Sequence, residues 1–123
     1  MKEMGPKDFL SNENELKKNI DIMQMTFEKF GLDVLNVGLT YQKMLGGNGI
    51  KFFVEILSNE SFDPNQTFYI KINVYDKDGI LISMGSKYFN GKSFSGFDTF
   101  DIAVFHESIW QNAVKARVYL TKS

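Results

Sequence analysis

The period of the apolar residues changes once along the chain, at Gly31, and does not change back. Before it, Leu16, Ile20, Met23, Phe27 and Phe30 follow one another at steps of four, three, four and three, which places all five on one stripe of a helix. Asn12 with Glu15 three places on has the pattern of a capping box, and Gly31 supplies a C-terminal stop. The expectation is one amphipathic helix over residues 12–30. It is preceded by a polar stretch without period, residues 1–11, that reads as a flexible lead-in.

After Gly31 apolar residues alternate with polar ones to the end of the chain. Leu35, Val37, Leu39 and Tyr41 share one face of a first strand, and the glycines of "GGNG" at 46–49 suit a tight hairpin. Ile50, Phe52, Val54 and Ile56 then face inward, as do Phe68, Ile70, Ile72 and Val74 after a polar loop at 58–66. Further strands are expected from Ile80 to about Lys87, from Phe97 to Phe105, and around Ala116, Val118 and Leu120. The fold class that follows is mainly β. It is an immunoglobulin-like antiparallel β-sandwich of six or seven strands, residues 34–123, with one N-terminal amphipathic α-helix. One feature is unusual for a free-standing sandwich: Phe53, Leu57, Tyr69 and Tyr75 all fall at outward positions. The helix stripe or a partner subunit is expected to cover them.

Composition removes several function classes. Fourteen basic residues against fifteen acidic ones, with no basic block, leave nothing to neutralise a run of phosphates, so a nucleic-acid partner is not expected. No apolar run is long enough for a transmembrane segment, and the first residues lack the apolar centre of a signal peptide. A chain soluble as given fits the cytoplasm, or the envelope or exterior if a leader has been removed. The absence of cysteine excludes thiolate ligands, disulfides and a cysteine nucleophile. The one histidine, His106, sits beside Glu107 and Ser108 at a strand end, where neighbours point to opposite faces, so no catalytic set is expected.

The acidic "DKDG" at 76–79 lies between two apolar runs. As an EF-hand loop it would put Val74 at the first ligand position and Gly85 at the twelfth, where neither side chain can bind calcium. A hairpin turn explains all four residues: Asp76 begins it and Gly79 takes the left-handed position that closes it. No metal ligand and no cofactor are therefore expected.

The segment "INVYDKDGILISMGS" at 72–86 resembles the FxLYD domain, a bacterial immunoglobulin-like module named for a strand ending in an aromatic–aspartate pair, here Tyr75-Asp76. The likeness extends over roughly residues 50–121. "FSGFDTF" at 94–100 stands where the family has its "L-x-P-G" segment and Phe-bearing strand, with Gly96 and Phe100 in place, while Phe94, Ser95 and Ile72 depart from the pattern. The resemblance implies a sandwich fold and an envelope-associated or multidomain bacterial setting, and brings no catalytic residues. A lesser likeness to C2 domains rests on Asp76 and Asp78, with Glu60 or Asp63 as further carboxylates.

Two functions are expected from different classes. The first is a non-catalytic interaction module that binds another protein, or a second copy of itself, through a sheet edge, its loops or an aromatic face. Its candidate contacts are Trp110, placed in a loop between the last two strands, with Phe53, Leu57, Tyr69 and Tyr75. The alternative is a calcium-assisted, C2-like module for membrane or glycan.

Overall fold

Strict alternation builds two sheets whose inner faces make one core. A computed structural model describes residues 10–44 and 47–123. Helix α1 (Leu10–Lys18), strand β1 (Ile20–Ile22) and helix α2 (Gln24–Glu28) precede β2 (Leu32–Met44), β3 (Gly47–Ser58), β4 (Thr67–Tyr75) and β5 (Leu81–Asn90). A short 3₁₀ turn (Gly91–Ser93), β6 (Phe97–Phe105), α3 (Ile109–Asn112) and β7 (Lys115–Lys122) complete the chain. The sheets run β1-β7-β4-β5 and β2-β3-β6. The mainly β, two-sheet fold with an N-terminal helix is thus the one expected. Its strand order differs from the A-B-E-D and C-F-G order of constant-type immunoglobulin domains.

The alternating strands fold as their sequences dictate. Ile50, Phe52, Val54 and Ile56 of β3, and Phe68, Ile70, Ile72 and Val74 of β4, are all fully buried. In β2 the phase breaks once, where the register shifts between Val34 and Asn36. Val34 is buried and Leu35, expected inside, is 55% exposed, because a bulge carries two residues past one partner. The hairpin expected at 46–49 lies partly outside the described residues, which resume at Gly47, and so does the lead-in at 1–11 apart from Leu10 and Ser11, which belong to α1.

The single helix over residues 12–30 is corrected to a helix, a strand and a second helix. Asn19 Nδ2 donates to Glu15 Oε1 (3.0 Å) and Val114 O (3.1 Å), turning the chain out of α1. Ile20-Asp21-Ile22 then pairs parallel with Ala116-Arg117-Val118, flanked by Ala116 N to Asn19 O (3.1 Å) and Met23 N to Val118 O (2.9 Å). Without β1 the backbone groups of β7 along this edge would be left unpaired, and that demand outweighs local helix preference at two β-branched residues. Asn12 is no N-cap. It lies inside α1 and its Nδ2 donates to Trp110 O and Gln111 O (3.0 Å each), satisfying carbonyls of α3.

The two lateral edges of the sandwich close in different ways. On one, Leu16 of α1 and Phe27 of α2 are fully buried, and the two helices wedge between β2 and β7. The expected cover over Phe53, Leu57, Tyr69 and Tyr75 is therefore not what the helices provide. On the other, β5 and β6 lie side by side without a hydrogen-bonded ladder. Ser83 Oγ donates to Phe105 O (2.7 Å), and Lys87 Nζ stands 3.8 Å from Asp101 Oδ1. Between these contacts a Cβ on Gly85 would lie 2.6 Å from Ala103 O, so only glycine allows the approach.

Candidate functional site

Strand parity decides which side chains the sheets present to the outside. In the four-stranded sheet, Tyr69, Lys71, Asn73 and Tyr75 of β4 alternate with the buried set and point outward. Their cross-strand partners on β5 are Tyr88, Ser86, Met84 and Leu81, and on β7 Thr121, Tyr119, Arg117 and Lys115. Four of the five tyrosines of the chain thus share one outer face.

Half of that face is tied together internally. Tyr119 Oη donates to Asn73 Oδ1 (3.1 Å), whose Nδ2 donates to Tyr75 Oη (3.1 Å). Arg117 Nε meets Asp21 Oδ2 at 3.1 Å while its guanidinium lies 5.5 Å from the Tyr75 ring centre. The other half is open: Tyr69 and Tyr88 meet edge to face at 5.4 Å, and Tyr88, Met84 and Leu81 are all about half exposed. Four tyrosines, a methionine and an arginine within a few strand spacings have the composition of an interface core.

The other candidate residues separate. Phe53 and Leu57 lie on the outer face of the three-stranded sheet, so the four expected contacts divide between opposite sides of the molecule. The period-two pattern shows that a residue points outward and not which sheet carries it, and β3 and β4 belong to different sheets. Phe53 is half-buried between Gly38 and Asp101, and Leu57 pairs with Phe97 as a small apolar corner. Trp110 is removed as a contact residue. It is 1% exposed, its Nε1 donates to Gly49 O (3.0 Å), and its ring stacks on Tyr41 at 6.4 Å. The stretch placed in a loop is the short helix α3, which turns Ile109, Trp110 and Ala113 into the core.

The acidic turn folds as its sequence indicates. Asp76 Oδ1 accepts from Asp78 N and Ile80 N (2.9 Å each), Gly79 N donates to Asp76 O (3.0 Å), and Gly79 has φ of 77°. In the loop before β4, the Asn65 N–H donated to Asp63 Oδ1 (2.9 Å) holds that carboxyl below the ordinary aspartate range, helped by Gln66 Nε2 (3.1 Å). His106 Nδ1 accepts from Ser108 N (3.1 Å) and lies 2.9 Å from Ser108 Oγ, a local turn at the start of α3. Among the described residues no three His, Asp or Glu side chains converge as a metal site.

One concavity opens beside the exposed tyrosines. Six phenylalanines, Phe30, Phe62, Phe68, Phe89, Phe94 and Phe100, pack ring to ring at this end of the core, with centroids 4.9–6.0 Å apart. Where β5 turns toward β6 the cluster is left uncovered, making an open cavity of about 290 Å³ lined by Tyr88, Phe89, Phe94 and Phe100, with Asn90, Ser93 and Asp98 at its rim. Tyr88, Tyr119, Met84 and Asp98 were not among the residues expected from sequence. For Asp98 a signal existed: Phe100, Ile102 and Val104 are inward, and two residues back the same phase lands on Asp98.

No family model matches the chain, and no curated protein or solved structure is significantly similar to it.

Proposed function

We propose that this chain is a non-catalytic binding module that engages another protein through the outer face of its four-stranded sheet. The observation that carries the reading is the gathering of Tyr69, Tyr75, Tyr88 and Tyr119 with Met84 and Arg117 on one outer face. Tyrosine offers large amphipathic contact area with little rotamer entropy to lose, and interface cores are enriched in it together with methionine and arginine. The likeness of residues 72–86 to FxLYD-type modules supports an accessory role of this kind in a bacterial, envelope-associated setting. Hydrolytic chemistry is not part of this reading: His106 Nδ1 is engaged by Ser108 in a local turn, and no third group orients the ring among the described residues.

Photo-crosslinking tests the reading. A benzophenone side chain is placed at position 69 or 75 and, as the opposite-face control, at position 53. A discrete adduct from 69 and 75, competed by the unlabelled protein and absent from 53, is the expected result. Equal adducts from both faces, or none from 69 and 75, overturn it. Calcium has no part in this reading, since Asp76 Oδ1 already holds two backbone N–H groups. Millimolar calcium is expected to leave the Tm unchanged, whereas a cation bound only by the folded state would raise it.

A further inference from the structure

The geometry points to the cavity between β5 and β6 as a binding site for a small organic cation of the quaternary-ammonium type. Four aromatic residues, Tyr88, Phe89, Phe94 and Phe100, line it, and none of the residues lining it is basic. Its one formal charge is Asp98. That carboxylate stands opposite Ile56 at the exposed start of β6, before the buried phase of Phe100, Ile102 and Val104 begins. Apart from the Thr99 N–H donated to its Oδ1 (2.8 Å), it has no partner among the described residues. The carboxylate is exposed, and it lies where the aromatic cluster comes open, so its charge is presented at the mouth of the cavity.

These features select the ligand by chemistry. An anion would meet Asp98 with no compensating cation among the lining residues, and a purely apolar group would gain nothing from its charge. A tetraalkylammonium group satisfies both halves. Its methyl groups cover the phenylalanine floor, its charge is attracted to the faces of aromatic rings, and it needs no hydrogen-bond acceptors. The volume of about 290 Å³ suits a headgroup of that size rather than a large ligand. The site is separate from the sheet-face reading, although Tyr88 borders both.

The test is a titration of the ¹⁵N-labelled chain with choline chloride, followed by amide shifts. Saturable shifts at residues 90, 93, 94 and 98 are expected. Asp98→Asn should weaken choline binding about threefold and Tyr88→Ala about fivefold, while Tyr75→Ala, on the sheet face away from the cavity, leaves it unchanged. Asp98 and Tyr88 are both exposed, so the variants should keep the parent Tm. The uncharged analogue with a tert-butyl group in place of trimethylammonium should bind at least about threefold more weakly. Phosphatidylcholine vesicles distinguish the sources: co-sedimentation with them, and not with phosphatidylglycerol vesicles, assigns the cation to a lipid headgroup, and failure of both with retained choline binding assigns it to a free small molecule. The absence of saturable shifts, an equal response to the uncharged analogue, or unaltered binding in Asp98→Asn overturns the proposal.

Discussion

The two lateral edges of this sandwich solve one problem by opposite means. Where β2 and β7 part, the gap is filled with side chains, Leu16 and Phe27, brought by short helices from the beginning of the chain. Where β5 and β6 meet, the gap is removed by deleting a side chain at Gly85 and letting the strands close directly. The filled edge depends on volume supplied from far away in sequence, and the closed edge on volume withheld locally. Mutations should therefore act with opposite sign of size at the two places.

The largest expected effect is at the filled edge. Phe27 is fully buried between the sheets, and Phe27→Ala removes a whole ring from a position that α2 alone supplies. A loss of about 3–5 kcal/mol is expected in a urea-unfolding series, the usual range for such a truncation. A loss under about 1 kcal/mol would mean that α2 does not hold the edge shut.

At the closed edge the change that should hurt is an addition. A Cβ on Gly85 would sit 2.6 Å from Ala103 O and 2.9 Å from Val104 Cγ2, so Gly85→Ala forces β5 away from β6 at a cost of about 1–3 kcal/mol. Gly79→Ala separates crowding from backbone strain. Its φ of 77° is unfavourable for alanine, but nothing lies within 4 Å of a Cβ there, so only about 1 kcal/mol is expected. The Gly85 variant should also shift amide resonances along β6, and the Gly79 variant should not. Equal costs with no response in β6 would show that the seam is loose.

The same contrast explains what could be read from the sequence. The inner residues of β3 and β4, and the bounds of β6, were legible because a period of two is a local property. The filled edge was not, because Leu16, Ile20, Met23, Phe27 and Phe30 fit a helical stripe equally well whether or not Ile20 leaves it, with Asp21 and Ile22, to pair with β7 almost a hundred residues on. The sequence pattern places Trp110 in a loop because a four-residue helix has too little period to register. The tyrosine face was half visible: the outward phase of Tyr69 and Tyr75 was correct, while their companions Tyr88 and Tyr119 become neighbours only through strand pairing. Asp98 falls on the inward phase of its strand, but the first three residues of β6 are exposed, and that opening is set by the packing of the cluster beside it and not by the local pattern.

The smallest effect sharpens the comparison at the filled edge, where fitting separate pieces together has left one polar atom unsatisfied. Tyr41 Oη on β2 is buried, with its ring stacked on Trp110 and no hydrogen-bond partner for the hydroxyl among the described residues. An unpartnered buried hydroxyl costs free energy, so Tyr41→Phe should stabilise the protein by about 1 kcal/mol. Burial, followed by the nearby charge of Glu13, also pushes the phenol well above its usual range. The unfolded chain loses this proton near pH 10 while the folded chain keeps it. Above that pH the unfolded state binds fewer protons, so stability falls as pH rises toward the folded-state value; below it, Tyr41 contributes no slope. Tyr41→Phe should therefore be the more stable form at neutral pH and lose less stability than the parent between about pH 10 and 11 in urea titrations. A destabilised Phe variant would mean that the hydroxyl has a partner after all, and an unchanged alkaline limb would mean that Tyr41 ionises as freely in the fold as outside it.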